Sequence, residues 1–241
     1  MAVLLEVCVD SVDGLEAAIA GGADRIELCS ALDLGGLTPT PGLIAAAARA
    51  PIPVYAMIRP HARSFAWSPA DAAAMLAEID AVRAAGLAGV VLGAARPDGH
   101  LDIALLRTLC ERAHGLGTTL HRVFDLVPDP ARALEDAVAL GFERILTSGG
   151  AARAADALDA LAGLARRAAG RIAVMPGSGV AADNVARIVR ATGVAEVHAS
   201  CREALAPDDS KGVELGFFPA RPACTSQRLV QAFKQTLAAI G

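Results

Sequence analysis

The chain has few aromatic residues and very few lysines. Aromatic side chains make up 3 % of its 241 residues although 54 % are hydrophobic, which argues against a β-sandwich with an aromatic core. The lysines, Lys211 and Lys234, lie near the C-terminus, which disfavours an enzyme with a Schiff-base lysine at the end of a central strand. The many small helix-forming residues instead predict many short helices.

Charge patterns and apolar runs typical of nucleic-acid or membrane proteins are also missing. The chain has 22 Lys and Arg against 26 Asp and Glu, a formal net charge of −4 without a basic footprint. No uninterrupted apolar run reaches the ~18 residues that a spanning helix needs. A secretory signal has basic residues followed by an apolar stretch, whereas the first ten residues here include Glu6 and Asp10. We therefore expect a cytoplasmic protein that binds neither nucleic acid nor membrane.

Cysteines are too few and too scattered for a disulfide framework, and CxxC and HExxH metal motifs are absent. The five cysteines are Cys8, Cys29, Cys110, Cys201 and Cys224. We expect them to be reduced thiols.

Eight short β-branched or apolar runs alternate with longer segments rich in Ala, Leu and Arg. The predicted strands are Val3–Val9, Arg25–Cys29, Val54–Ile58, Gly89–Gly93, Thr118–Val123, Arg144–Thr147, Arg171–Met175 and Ala195–Ala199. Eight β/α units in a chain of this length predict an α/β fold, a single (β/α)₈ TIM barrel over residues 1–241. An open doubly wound sheet is the alternative, but no Gly-rich phosphate fingerprint follows the first strand.

Several predicted helices begin with a capping residue followed by proline. Thr40-Pro41, Ser68-Pro69 and Asp129-Pro130 precede helices predicted over 42–50, 70–85 and 131–140. After the eighth strand, residues 201–225 contain prolines and no clear periodicity, which predicts a long loop, and residues 226–240 predict a C-terminal helix. The loop lies over the barrel mouth or packs against a neighbouring subunit, and the sequence leaves both open.

Polar and apolar residues alternate in the first, second and eighth predicted strands. Because side chains two residues apart point the same way, each strand has one polar face. These faces hold Glu6, Cys8, Asp10, Arg25, Glu27, Cys29, Glu196, His198 and Ser200. In a barrel the apolar faces meet the helices, so we expect the polar residues to point inward, as a structural ion-pair network or as a functional site.

The third and fifth predicted strands end in further charged residues. Arg59 follows the third strand, and the fifth ends in His121-Arg122-Val123-Phe124-Asp125. We expect His121 and Asp125 to form an acid/base pair, and Arg59 and Arg122 to bind a small anion at the same rim.

Two glycine-rich turns follow the sixth and seventh predicted strands. They are Ser148-Gly149-Gly150 and Gly177-Ser178-Gly179. Backbone N–H groups in such turns bind phosphate or carboxylate, and late βα turns are the usual phosphate location in barrels. Glycine is also common in βα turns for purely conformational reasons, so the alternative stays open.

Two thiols lie on the polar faces of neighbouring predicted strands. Cys8 and Cys29 belong to strands ~4.8 Å apart, and two thiolates at that separation can hold Cu(I) or zinc. His198, across the closing seam, is a candidate third ligand. The alternative is that both cysteines simply fill space in the core.

Several motifs over residues 4–201 together resemble the CutC family. They are Glu6-Val-Cys-Val-Asp-Ser-Val, Gly21-Gly-Ala-Asp-Arg-Ile-Glu-Leu-Cys-Ser, Gly35-Gly-Leu-Thr-Pro-Thr, Met57-Ile-Arg-Pro, His121-Arg-Val-Phe-Asp, Arg144-Ile-Leu-Thr-Ser-Gly-Gly and Glu196-Val-His-Ala-Ser. The resemblance implies a cytoplasmic (β/α)₈ barrel, a homodimer or higher homo-oligomer, named for copper homeostasis. It also implies copper ligation by Cys8 and Cys29. The chain departs from the family where Ser64 replaces an acidic residue after Ile-Arg-Pro.

The sequence therefore supports three functions. The first is a cytosolic protein that binds Cu(I) through Cys8 and Cys29, with no organic cofactor. The alternative is an enzyme for a small anionic or phosphorylated substrate, with acid/base residues Glu27, His121, Asp125 and His198 and the anion held by Arg59, Arg122 and the two turns. The third is a scaffold that oligomerises through the late loop.

Overall fold

A computed structural model describes residues 2–206, 209–217 and 219–240. Eight parallel strands pair in the order β7-β6-β5-β4-β3-β2-β1-β8, and β7 lies beside β8, so the sheet forms a nearly closed barrel. These strands are β1 Leu4–Val9, β2 Arg25–Leu28, β3 Val54–Met57, β4 Gly89–Leu92, β5 Gly117–Leu120, β6 Arg144–Thr147, β7 Ala173–Pro176 and β8 Glu196–Ala199. The predicted (β/α)₈ barrel is confirmed.

A helix follows each of the first seven strands. The helices are α1 Val12–Ala20, α2 Pro41–Ala47, α3 Pro69–Ala84, α4 Ile103–Arg112, α5 Pro130–Ala139, α6 Leu158–Ala168, α7 Val185–Thr192, α8 Ser210–Glu214 and α9 Gln227–Ala238. The predicted caps Thr40, Ser68 and Asp129 each accept a hydrogen bond from the first turn of their helix. No helix in the described part of the chain is long and apolar enough to cross a membrane.

The apolar faces of the strands pack under the helices, as the alternation predicted. Leu5, Val7, Ile26 and Val197 are buried in one large core with apolar residues of the helices. The opposite faces meet inside the barrel: Arg144 of β6 reaches Glu196 of β8, although β7 lies between these strands. The barrel therefore encloses charged groups, which must be paired to be tolerated there.

The aromatic ring of Tyr55 fills the lower barrel and needs glycine on the two following strands. A Cβ atom on Gly89 or Gly117 would overlap the Tyr55 side chain, and neither glycine needs a positive φ. The Tyr55 hydroxyl donates to Glu143 at 3.0 Å, and the guanidinium groups of Arg25 and Arg144 lie over the ring.

The fifth strand is shorter than predicted because a side chain caps the next turn. β5 ends at Leu120, and a 3₁₀ helix covers Arg122–Leu126. His121 Nδ1 accepts a hydrogen bond from the backbone N–H of Val123, which turns the chain away from the sheet.

The segment predicted as a long loop contains regular structure. β9 Arg202–Ala204 and β10 Ala223–Thr225 form an antiparallel pair, with α8 between them. Residues 207, 208 and 218 of this segment lie outside the described residues.

We expect Gly89→Ala and Gly117→Ala to lower the free energy of unfolding by about 1–3 kcal/mol each, because the added methyl group displaces Tyr55. Urea denaturation measures the change. Gly42→Ala is the matched control: Gly42 lies in α2 with nothing within 4 Å, so alanine there should be neutral or stabilising. Equal losses at positions 42 and 89 would contradict the packing argument.

Candidate metal centre and binding cavity

A buried ion-pair network forms the base of the candidate site. Arg25 donates through Nε to Glu6 and through Nη2 to Glu196 at 2.6 Å, and Arg144 Nε donates to Glu196 at 3.0 Å. Burial opposes the charge of Glu6, but the hydrogen bond from His198 and the charge of Arg25 outweigh it and lower the Glu6 pKa to about 2. Glu6 is therefore a fully buried carboxylate that is ionised and compensated.

Glu6 also fixes the orientation of His198. Glu6 and His198 are register partners on β1 and β8, and His198 Nδ1 lies 2.8 Å from Glu6 Oε1. An ionised carboxylate only accepts, so Nδ1 carries the hydrogen, and Nε2 is the nitrogen that faces the remaining polar groups. Metal-binding histidines are typically oriented by a carboxylate in this way.

Two further potential metal ligands, Cys8 and Glu27, lie close to this imidazole. One ligand atom each from Cys8, Glu27 and His198 lies within 4.8 Å of the other two, and all three residues are buried. His198 Nε2 is 3.8 Å from Glu27 Oε2, and Cys8 and Glu27 are register partners on β1 and β2. A thiol, an imidazole and a carboxylate form a ligand set that zinc and copper use in proteins.

Burial of Glu27 and the groups around His198 raise the pKa values of these two residues. Burial raises the pKa of Glu27, and the charge of His198 only partly offsets this. Burial alone would lower the pKa of His198, but Cys8, Glu27 and Glu6 raise it well above its usual value. A metal ion bound here would have to displace protons from the group, so its affinity would increase with pH.

Cys29 lies next to this group, and its thiol contacts one member of it, Glu27. Its thiol donates to Glu27 Oε2 at 3.5 Å, and a Cβ atom on Gly36 would lie 3.0 Å from Cys29 Sγ. Cys29 is fully buried and packs with Tyr55, Met57 and Val91 inside the barrel. Burial, followed by the charge of Glu27, raises the pKa of the Cys29 thiol well above its usual value. The two predicted copper ligands thus have different surroundings.

A cavity of about 330 Å³ opens above the three-ligand group at the C-terminal end of the barrel. The predicted residues on its wall are Cys8, Glu27, Arg59, His121, Arg122, Ser178, Gly179 and His198. Apolar side chains complete the wall, among them Met57, Phe65 and Leu146. Cys29, Asp125 and the turn at 148–150 are not part of it.

The structure does not pair His121 with Asp125. Asp125 accepts hydrogen bonds from Arg122 Nε at 2.7 Å, from Thr147 Oγ1 at 2.5 Å and from Ser148 and Gly150 in the turn after β6. His121 instead faces the cavity beside Phe65, with the ring centroids 4.7 Å apart. The predicted acid/base pair is therefore absent from this arrangement of the described residues.

One of the two predicted anion-binding turns is already filled by the protein itself. The backbone N–H groups of Ser148 and Gly150 donate to the Asp125 carboxylate, and that of Gly149 donates to Thr147 Oγ1 at 2.9 Å. Asp125 thus takes the position that an external anion would need. In the second turn, Gly177 N–H donates to Thr147 O, whereas Ser178 and Gly179 lie on the cavity wall.

Sequence reasoning missed two contributors to the site. The alternation leaves Glu6 open between a structural ion-pair network and a functional site, and its position on β1 beside His198 of β8 is the signal that it orients the imidazole. Phe65 was not singled out, yet its ring packs against His121 and lies 4.9 Å from the Arg59 guanidinium. No periodic pattern marks Phe65, because it lies on the loop after β3.

Comparison with known proteins gives a consistent family match. The model of the CutC family matches residues 3–203. The chain is 55 % identical to a family protein CutC of Sinorhizobium medicae (strain WSM419) over 238 residues, covering 99 % of this chain and 97 % of that protein. It is 56 % identical to the one of Rhizobium meliloti (strain 1021) over 233 residues, covering 97 % and 95 %.

Solved structures show the same architecture. A crystal structure of CutC from Streptococcus agalactiae, named for copper homeostasis, aligns with a TM-score of 0.79 at 30 % identity and covers 82 % of this chain and 98 % of that chain. Thiamine phosphate pyrophosphorylase from Pyrococcus furiosus aligns with a TM-score of 0.58 at 17 % identity over 99 % of this chain and 96 % of that chain. At this identity the similarity concerns the fold alone.

We expect His121 to destabilise the folded protein in acid. Burial, with the charge of Arg59, lowers its pKa to about 3, so the unfolded chain takes up the proton first as the pH falls below 6.5. The stability that the neutral imidazole contributes above pH 6.5 is therefore lost towards pH 3. Relative to His121→Asn, the wild-type unfolding free energy should fall by up to about 1.4 kcal/mol per pH unit in this window.

Urea denaturation at several pH values measures this difference. His114→Asn is the control, since it removes an exposed imidazole just after α4 and leaves the buried His121 in place. Parallel curves for wild type and His121→Asn would show that the buried imidazole does not control acid stability.

Proposed function

This chain belongs to the CutC family, and on that premise we propose that it binds Cu(I) at the bottom of the barrel mouth, through Cys8 and His198 with Glu27 as a third ligand. The observation that carries the proposal is the convergence of these three ligand atoms within 4.8 Å at the bottom of an open cavity. Copper is here the cargo of a homeostasis protein, taken up or passed on through the mouth.

The chemistry of the ligand atoms fits such an ion. A thiolate is the softest donor in proteins and selects Cu(I) or zinc over hard cations, and imidazole suits copper and zinc alike. Glu6 holds His198 through Nδ1, so Nε2 needs no rearrangement to bind. The carboxylate of Glu27 is a harder ligand and makes zinc the competing ion.

Ligation by a pair of thiols, Cys8 with Cys29, is the other version of this proposal. It requires the Cys29 thiol to exchange its hydrogen bond to Glu27 for the metal ion. The three ligand atoms of Cys8, Glu27 and His198 already converge, which is why we favour the three-ligand version.

Competitive titration of reduced protein with Cu(I) against a strong chelator tests the proposal. We expect Cys8→Ser and His198→Gln each to weaken Cu(I) binding at least tenfold, because each removes a principal ligand. Cys29→Ser should change the affinity less than threefold in the three-ligand version and at least tenfold in the thiol-pair version.

Cys110→Ser is the matched control, since Cys110 lies on α4 away from the mouth. Wild-type affinity in Cys8→Ser would refute both versions. Zinc binding that depends on Cys8 and that Cu(I) does not displace would identify zinc as the ion instead.

An enzyme that acts by acid/base chemistry on a small anion is the second candidate function. Glu27 and His198, which face one cavity 3.8 Å apart, support it as groups that could exchange a proton. Asp125 and Arg122 are less suited to that role because they are bonded to each other and to Ser148.

We also propose that the protein is a cytoplasmic homo-oligomer. Leu215 and Phe217, in the segment between β9 and β10, are 56 % and 76 % exposed, and a second copy would cover such apolar side chains. Light scattering should give a multiple of the monomer mass for wild type and a lower mass for Phe217→Ser. A monomeric wild-type protein would contradict this proposal.

A further inference from the structure

Buried polar atoms without a hydrogen-bond partner are concentrated around one cavity. Among the described residues four side-chain atoms are of this kind, and three belong to residues that line the mouth: Glu27 Oε1, Arg59 Nε and His121 Nε2. Buried polar groups nearly always have a partner, so a cluster of unpartnered ones beside a cavity indicates a missing ligand.

Arg59 is a buried cation without a counter-ion. The residue is 7 % exposed, and its Nη1 donates to the backbone carbonyls of Leu34 at 3.0 Å and Gly36 at 2.8 Å. In the described part of the chain no carboxylate lies within ion-pair distance of its guanidinium, and Nε has no acceptor. A charge in this setting is costly unless an anion enters the cavity.

His121 presents a second donor to the same cavity. Its Nδ1 accepts from Val123 N–H at 3.1 Å, so the neutral ring carries its hydrogen on Nε2. Nε2 has no partner, and the residue is 3 % exposed. Arg59 Nε and His121 Nε2 are therefore both N–H donors, and they require an acceptor rather than another donor. The third unpartnered atom, Glu27 Oε1, belongs to the candidate metal-ligand group.

An aromatic ring connects the two donors. Phe65 lies 4.9 Å from the Arg59 guanidinium carbon and 4.7 Å from the His121 ring, centroid to centroid. Met57 and Leu146 add apolar surface to the cavity. The wall thus combines one positive charge and two N–H donors with an apolar surface, which suits a small molecule with an anionic head and a short apolar body.

We propose that Arg59 and His121 form a subsite for the carboxylate group of a small organic acid, whose apolar part packs on Phe65. Carboxylate oxygens accept from Arg59 Nε and His121 Nε2, and the ligand's single charge matches the one cavity guanidinium among the described residues that has no carboxylate partner. Arg122, the other guanidinium on the cavity wall, is already paired with Asp125, so a phosphate dianion would leave one negative charge uncompensated in a cavity that also contains Glu27. This subsite uses none of the proposed copper ligands and goes beyond the proposed metal function.

Saturation-transfer NMR with sodium butyrate tests the subsite, with butyramide as its neutral isostere at the same ionic strength. Wild-type protein should bind butyrate saturably and at least tenfold more tightly than butyramide, with the strongest saturation on the aliphatic protons that contact Phe65. Arg59→Gln should weaken butyrate binding at least tenfold. Arg63→Gln is the matched control: it removes the same charge from an exposed position on the same loop, outside the cavity wall, and should change the affinity less than twofold.

Two outcomes in the wild-type protein alone would overturn the subsite, so the test survives if Arg59→Gln fails to fold. One is equal or absent binding of butyrate and butyramide, and the other is displacement of butyrate by an equal concentration of inorganic phosphate. Cys8→Ser should bind butyrate like wild type. Loss of copper binding and loss of carboxylate binding can therefore be told apart.

Discussion

The ionised carboxylate of Glu6, buried inside the barrel, is the interaction on which the candidate site depends. It is tolerated because Arg25 and His198 both donate to it. Arg25 is in turn shared with Glu196, which also accepts from Arg144, so four strands are linked by one network. Because His198 donates through Nδ1 to Glu6, its other nitrogen, Nε2, is directed towards Cys8 and Glu27. The same contacts that balance charge in the core therefore set the geometry of the proposed metal centre.

Space inside the barrel is as tightly constrained as charge. Tyr55 occupies the lower lumen only because β4 and β5 carry glycine opposite its ring, and the apolar group of Cys29, Met57 and Val91 lies beside it. At the mouth, Asp125 fills the turn after β6 that would otherwise receive an anion. The remaining volume lies between the β1–β2–β8 wall and Arg59 with His121, and this determines where a ligand can bind.

The sequence was sufficient for the barrel and for the inward phase of β1, β2 and β8, because both follow from local alternation and helix-start signals. It was also sufficient to predict that Cys8, Glu27 and His198 are neighbours, since adjacent strands bring their polar faces together. It failed for His121 and Asp125, where a side-chain cap turns the chain out of the sheet and Asp125 finds donors on β6 and the following turn. Such contacts depend on loop geometry, and no period in the sequence encodes them.

The two cavity histidines show how the surroundings divide the mouth into two halves. His198 faces Cys8, Glu27 and Glu6, and these groups raise its pKa well above its usual value in spite of burial. His121 is equally buried but lies near the Arg59 cation, so burial and charge act in the same direction and lower its pKa to about 3. The side of the mouth formed by Cys8, Glu27 and His198 therefore holds protons that a metal ion can displace. The side formed by Arg59 and His121 holds a fixed positive charge and a neutral N–H donor. Because a carboxylate would be repelled by Glu27 and a metal cation by Arg59, each ligand class has one half of the cavity that can accept it.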